Sequence, residues 1–210
     1  MSGLLDLLSS PMGKQLISGV ASQTGKSTDQ TGSVLSMALP VLMGAMKKNA
    51  SSQEGAEGLM NALSGKHSGG ILDNLGGLFS GGVDQSVLDD GAGILGHVLG
   101  GKQATVENAI SQKSGMDAGS VSTILKVAAP ILLGFLGKQT QEQNISDSSG
   151  INNLLGGLMG GGNAGNQQQS LIESFLDSDG DGSILDDVAS MALGGKKGGI
   201  GGMLGGLFGK

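Results

Sequence analysis

Ser33-Val-Leu-Ser-Met-Ala-Leu-Pro-Val-Leu-Met-Gly-Ala-Met46 and Thr123-Ile-Leu-Lys-Val-Ala-Ala-Pro-Ile-Leu-Leu-Gly-Phe-Leu136 are two versions of one segment, set 90 residues apart. Pro40 falls on Pro130 and Gly44 on Gly134. Leu35, Ala38 and Leu42 fall on identical residues at Leu125, Ala128 and Leu132. The same offset continues upstream without a gap. Gly25 meets Gly115, Val20 meets Ile110, Leu16 meets Val106, and Gly3-Leu-Leu meets Gly93-Ile-Leu. One offset held over about 40 positions marks an internal duplication, with too few copies for a solenoid. The units are read as residues 1–82 and 83–160.

Each unit reads as helical. Residues 14–22 and 105–113 place apolar side chains four apart, Leu16 with Val20 and Val106 with Ile110, between polar ones. Gly25 and Gly115 suit a left-handed helix C-cap. Ser27 or Thr28, and Asp117, suit the next helix start. The quoted segments are apolar nearly all round, which marks a buried central helix. Pro40 and Pro130 lie inside it. An internal proline removes one backbone bond and clashes with the previous turn, at ~3 kcal/mol or more, so each long helix is expected to kink or break there. Strand signals are missing, because Gly pairs interrupt most apolar runs. The expected class is all-α: a duplicated helical domain with kinked central helices.

A shorter pattern recurs in Ile71-Leu-Asp-Asn-Leu-Gly-Gly-Leu-Phe, Ile151-Asn-Asn-Leu-Leu-Gly-Gly-Leu-Met and Ile200-Gly-Gly-Met-Leu-Gly-Gly-Leu-Phe. Apolar residues at i, i+4, i+7 and i+8 make one helical stripe. Two readings stand: a short helix that caps the core, or an amphipathic segment that docks in a groove or on a membrane surface. Residues 194–210 hold nine Gly in seventeen, with Lys196, Lys197 and Lys210 as their positive charge. Gly costs about 0.8–1 kcal/mol per helical position relative to Ala, so this tail is expected to be flexible on its own. Weak membrane-surface contact through it is the alternative to a cytoplasmic protein.

Composition removes several function classes. Leu, Ile, Val and Phe make up about a quarter of the chain, above the roughly 20% floor of disordered sequences. All 12 basic residues are Lys, the net charge is −6, and the aromatic set is four Phe. Nucleic-acid readers rely on Arg forks, clustered positive charge and stacking aromatics, so no nucleic-acid partner is expected. The absence of Cys removes disulfides, iron–sulfur clusters and thiol nucleophiles. Residues 34–46 and 124–136 are the longest apolar runs. At about 13 residues they fall short of the ~20 a bilayer span needs. The N-terminus has no basic n-region, so no secretory signal is read there. Residues 64–70 read as a hinge with a solvated His67. His97 stands where the first unit has Leu7 and is expected to pack partly buried. Asp89-Asp90-Gly91 reads as a turn or helix cap.

One constellation carries chemistry. After a polar linker at 161–170 comes Leu171-Ile-Glu-Ser-Phe-Leu-Asp-Ser-Asp-Gly-Asp-Gly-Ser-Ile-Leu-Asp-Asp-Val188. Asp177, Asp179 and Asp181 alternate, so a turning backbone brings three carboxylates to one centre. Gly182 permits the sharp turn, and Ser183 offers its carbonyl. With Asp186 and Asp187, five carboxylates lie within eleven residues and repel unless a cation sits between them. Oxygen ligands favour Ca²⁺, with Mg²⁺ or Mn²⁺ second. The competing reading is an exposed acidic turn capped by Asp186. Residues 171–193 resemble EF-hand-like loops, including shortened and dockerin-like ones. The departure is at position twelve, where Val188 replaces the bidentate acid and leaves closure to Asp186 or Asp187.

The chain as a whole resembles the bacterial DUF937 family, similar to the YidB-like helical proteins. The resemblance rests on the duplicated core, on Gly93-Ile-Leu-Gly-His-Val-Leu-Gly and Ala129-Pro-Ile-Leu-Leu-Gly, and on the Asp-Gly-Asp-Gly loop at 179–182. It implies a helical domain and carries no established activity. The sequence holds no nucleophile elbow, P-loop or H-E-x-x-H. The expectation is a non-enzymatic, calcium-binding helical protein with a structural role or a protein partner.

Overall fold

Both halves of the duplicated sequence fold into matching helical runs. The computed structural model describes residues 4–80 and 82–160. The first half forms α1 (Leu4–Ser9), α2 (Pro11–Thr24), α3 (Thr28–Asn49), α4 (Gln53–Ser64) and the short α5 (Gly70–Asp73) and α6 (Leu75–Phe79). The second half forms α7 (Gln85–Leu99), a 3₁₀ turn at Gly100–Lys102, α8 (Gln103–Ser114), α9 (Ala118–Glu142) and α10 (Ser148–Gly160). No strand occurs among the described residues, and the fold is all-α. The linker, the acidic loop and the Gly-rich tail at 161–210 lie outside them.

Local chemistry sets the helix ends as the sequence suggests. Gly25 and Gly115 close α2 and α8 in the left-handed region, at φ 65° and 68°. Ser27 Oγ accepts the Gln30 amide at 3.2 Å to open α3. Asp117 Oδ1 accepts the Ser120 amide at 2.8 Å to open α9.

The prolines do not break the long helices. α3 runs on through Pro40 and α9 through Pro130. The cost is one missing backbone bond in each, and Pro130 frees the carbonyl of Lys126 four residues earlier. Gly91 of α7 fills that place. A Cβ at Gly91 would stand 1.8 Å from the Lys126 oxygen, so the glycine's Cα hydrogen faces it. Asp89-Asp90-Gly91 is therefore the middle of α7, not a turn or a cap. Beyond this close approach, Ile94, Leu95 and Leu99 of α7 are buried.

α3 and α9 lie against each other at the centre. The covering helices pack reciprocally: α4 of the first half rests on α9, and α10 of the second half rests on α3. One hydrophobic core results, holding Leu35, Leu42 and Met43 together with Leu125, Leu132 and Leu136. Thr31 is fully buried in it, and its hydroxyl has no hydrogen-bond partner. Its repeat counterpart, Val121, is equally buried. The sequence measured only the apolar run within α9. The whole 25-residue helix has a window of mean hydropathy 1.7 and passes the length and composition test for a membrane span. Two thirds of that window (67%) is buried inside the protein, the mark of a core helix.

Candidate functional site

The acidic loop residues Asp177, Asp179, Asp181, Ser183, Asp186 and Asp187 lie outside the described residues. Among the described residues, no three His, Cys, Asp or Glu side chains come together to hold a metal.

The described titratable groups meet most closely around His67. The sequence placed this residue in a solvated hinge. The structure buries it to 8% exposure. Its amide donates to the Ala62 carbonyl at 3.0 Å. Its own carbonyl presses on α9 at Gly137, where a Cβ would come within 2.0 Å. Gln141 Nε2 donates to the Ser68 carbonyl at 3.1 Å and ties down the same turn. Across the gap stands α7: His67 Nε2 lies 3.7 Å from Asp90 Oδ2, and Lys66 Nζ lies 2.5 Å from Asp90 Oδ1. Burial pushes the His67 pKa down, the Asp90 charge works against that, and Lys66 adds to the lowering. The balance favours the neutral imidazole over the charged one. The glycine that admits this turn, Gly137, is replaced by Lys47 in the other repeat, so offset matching gave no signal for it.

His97 also departs from expectation. It is exposed on α7, and its main chain makes the contact: Asn49 Nδ2 donates to the carbonyls of His97 and Val98, each at 3.2 Å. A second tie between the halves joins Lys26 Nζ to Asp117 Oδ2 at 2.8 Å. That bond, with the Ser120 amide and hydroxyl, holds the Asp117 carboxyl well below the usual carboxylate range.

Two copies of the Gly-Gly-Leu pattern lie within the described residues, and both are laid on the core. In the first, Leu72 and Leu75 are buried and Leu78 and Phe79 are half-buried. Its ends sit in glycine notches. Ile71 Cγ2 is 2.5 Å from where a Cβ of Gly134 would stand, and the Phe79 ring covers Gly19 at 2.2–2.5 Å from the same imagined atom. In the second copy, Ile151, Leu154, Leu155 and Leu158 are buried against α3 and α4. Asn152 Nδ2 fixes its register by donating to the Ala50 carbonyl at 3.1 Å. Gly19 escaped the sequence reading and Gly134 entered it only as the repeat match of Gly44, because nothing local distinguishes a seat from any other helical glycine. A small apolar pocket lies among α1, α2, α3 and α9, lined by Leu7, Met12, Leu16, Leu39, Leu132 and Phe135.

The model of a family described as "Bacterial protein of unknown function (DUF937)" matches residues 6–139 and 142–210. No curated protein and no solved structure matches the chain.

Proposed function

The chain belongs to DUF937, a bacterial family of unknown function, and on that footing we propose that it is a non-enzymatic, calcium-binding helical protein with a structural or interaction role. The observation that carries the interaction role is the seating of Ile71-Leu-Asp-Asn-Leu-Gly-Gly-Leu-Phe in the notches at Gly134 and Gly19. A core that receives short, glycine-rich apolar helices in shaped seats has the form of a segment receptor. The calcium role rests on the alternating Asp177, Asp179 and Asp181 with Gly182, closed by Asp186 or Asp187. In this reading the ion orders residues 177–188 and sets two short helices against the core. The membrane-surface reading draws less support, since two of the three apolar stripes are spent on the protein's own interior.

The test is a calorimetric titration of Ca²⁺ into the full chain and into Asp179→Asn/Asp181→Asn. Binding in the first and its loss in the second supports the calcium role, and no heat in the first refutes it. Chelation is expected to loosen the C-terminal segment while the duplicated core keeps its helicity.

A further inference from the structure

The two long helices are not equally covered. On α9, Val127 is 0% and Ile131 4% exposed, and Pro130 and Gly134 are also buried. Their repeat counterparts on α3 are Met37, Pro40, Val41 and Gly44, and all four are only half-buried. Spacings of three, four and seven put these residues on one helical face. The difference has visible causes. Gly91 of α7 closes on α9 next to Pro130. α5 packs on α9 and puts Ile71 into the Gly134 notch. At Gly44 the nearest approach is the Met159 methyl, 3.8 Å from an imagined Cβ, against 2.5 Å for Ile71 at Gly134. The equivalent seat on α3 is formed and left part-open.

The chain carries a segment fitted to it. Gly69-Gly-Ile-Leu-Asp-Asn-Leu-Gly-Gly-Leu-Phe79 and Gly198-Gly-Ile-Gly-Gly-Met-Leu-Gly-Gly-Leu-Phe208 are identical at eight of eleven positions. Ile71, which fills the α9 notch, corresponds to Ile200. Leu75, Leu78 and Phe79 correspond to Leu204, Leu207 and Phe208. We propose that residues 198–208 dock with Ile200 at Gly44 of α3 and their second half towards α8, as α5 docks on α9 at Gly134 and α6 on α2 at Gly19. The 37 residues between Gly160 and Gly198 do not limit this. A random chain of that length reaches roughly 35 Å, and a 22-residue helix such as α3 is about 33 Å long. The match is not complete. Phe79 rests on Gly19, whose counterpart is Ala109, so Phe208 takes a shallower seat. Ordering a glycine-rich segment costs entropy, so the contact is weak and reversible. The proposal needs no ion, and it stands or fails separately from calcium binding.

The protein has no cysteine, which gives a clean test in the full chain. Three double variants are oxidised under the same conditions: Gly44→Cys/Ile200→Cys, Ile71→Cys/Gly134→Cys for the seat already occupied, and Gly58→Cys/Ile200→Cys. Gly58 is exposed, with nothing within 4 Å of an added Cβ. Docking predicts an intramolecular disulfide in the first variant, formed at least about tenfold faster than in the third, because a seated segment has a raised effective concentration. The second variant confirms that a glycine seat of this kind supports the bond. Equal rates in the first and third variants overturn the proposal. A product found only between chains, which would make a second copy the occupant, also overturns it.

Discussion

Replacing Gly91 by Ala sets two known effects against each other at the α7–α9 contact. Removing a mid-helix glycine favours α7 by about 0.8–1 kcal/mol. The new methyl carbon would stand 1.8 Å from the Lys126 carbonyl oxygen, where carbon and oxygen ordinarily keep roughly 3.3 Å apart. That oxygen belongs to the backbone of a buried helix and cannot rotate away, so α7 must shift as a body. Overpacking of this kind costs about 1–3 kcal/mol, and an overlap of this depth sits at the upper end. The steric term wins, with a net loss of about 2 kcal/mol. Gly93 is the internal control. It lies two residues on in the same helix, is exposed, and has nothing within 4 Å of an added Cβ. Gly93→Ala is expected to stabilise by about 0.8–1 kcal/mol, so one chemical change gives opposite signs at two neighbouring positions. The assay is urea unfolding followed by far-ultraviolet circular dichroism, since the chain has no Trp or Tyr to report by fluorescence. Equal gains at both positions would refute the close approach.

Other substitutions probe the remaining features. Thr31→Val removes a buried hydroxyl with no partner and installs the residue that the second repeat carries at Val121. It is expected to stabilise by about 1 kcal/mol in the same assay, and a loss would mean the hydroxyl is satisfied. Because burial lowers the folded-state pKa of His67 below 6.5, the unfolded chain takes up that proton first. The contribution is complete above pH 6.5 and is lost as pH falls through the folded pKa. Urea midpoints measured down this range are expected to fall more steeply in the parent than in His67→Asn, and parallel curves would contradict it. Gly19→Ala puts a methyl into the Phe79 ring. That ring is half-exposed and can swing out, so faster amide exchange at 75–79 is expected with a global loss under about 1 kcal/mol. A loss as large as that of Gly91→Ala would show α6 to be integral to the core.

What was legible in the sequence was whatever both repeats needed. The caps at Gly25, Ser27, Gly115 and Asp117 were readable because each is a local bargain between a few residues, struck twice at one offset. The continuity of α3 and α9 through proline was legible only as one of two outcomes, a kink or a break, because the local cost allows both and tertiary packing keeps each helix unbroken. His67 and His97 were misplaced for a related reason. Burial at 67 is imposed by Gly137 and Asp90, each distant in sequence, and exposure at 97 follows from the face α7 turns towards α9. Where the repeats diverge, as in Gly137 against Lys47 or Gly19 against Ala109, one copy no longer predicts the other. The acidic loop was read from its alternation alone, and it lies outside the described residues.

The crossed placement of α4 on α9 and α10 on α3 has a consequence for ancestry. A polypeptide made from one half alone would have to borrow its lid from a sister molecule, and the natural product of such borrowing is a symmetric pair. Joining the genes end to end turns that partnership into a single polypeptide and frees each half to drift from the other. On this view the covering of α9 and the barer flank of α3 are two outcomes of a symmetry that selection no longer enforces.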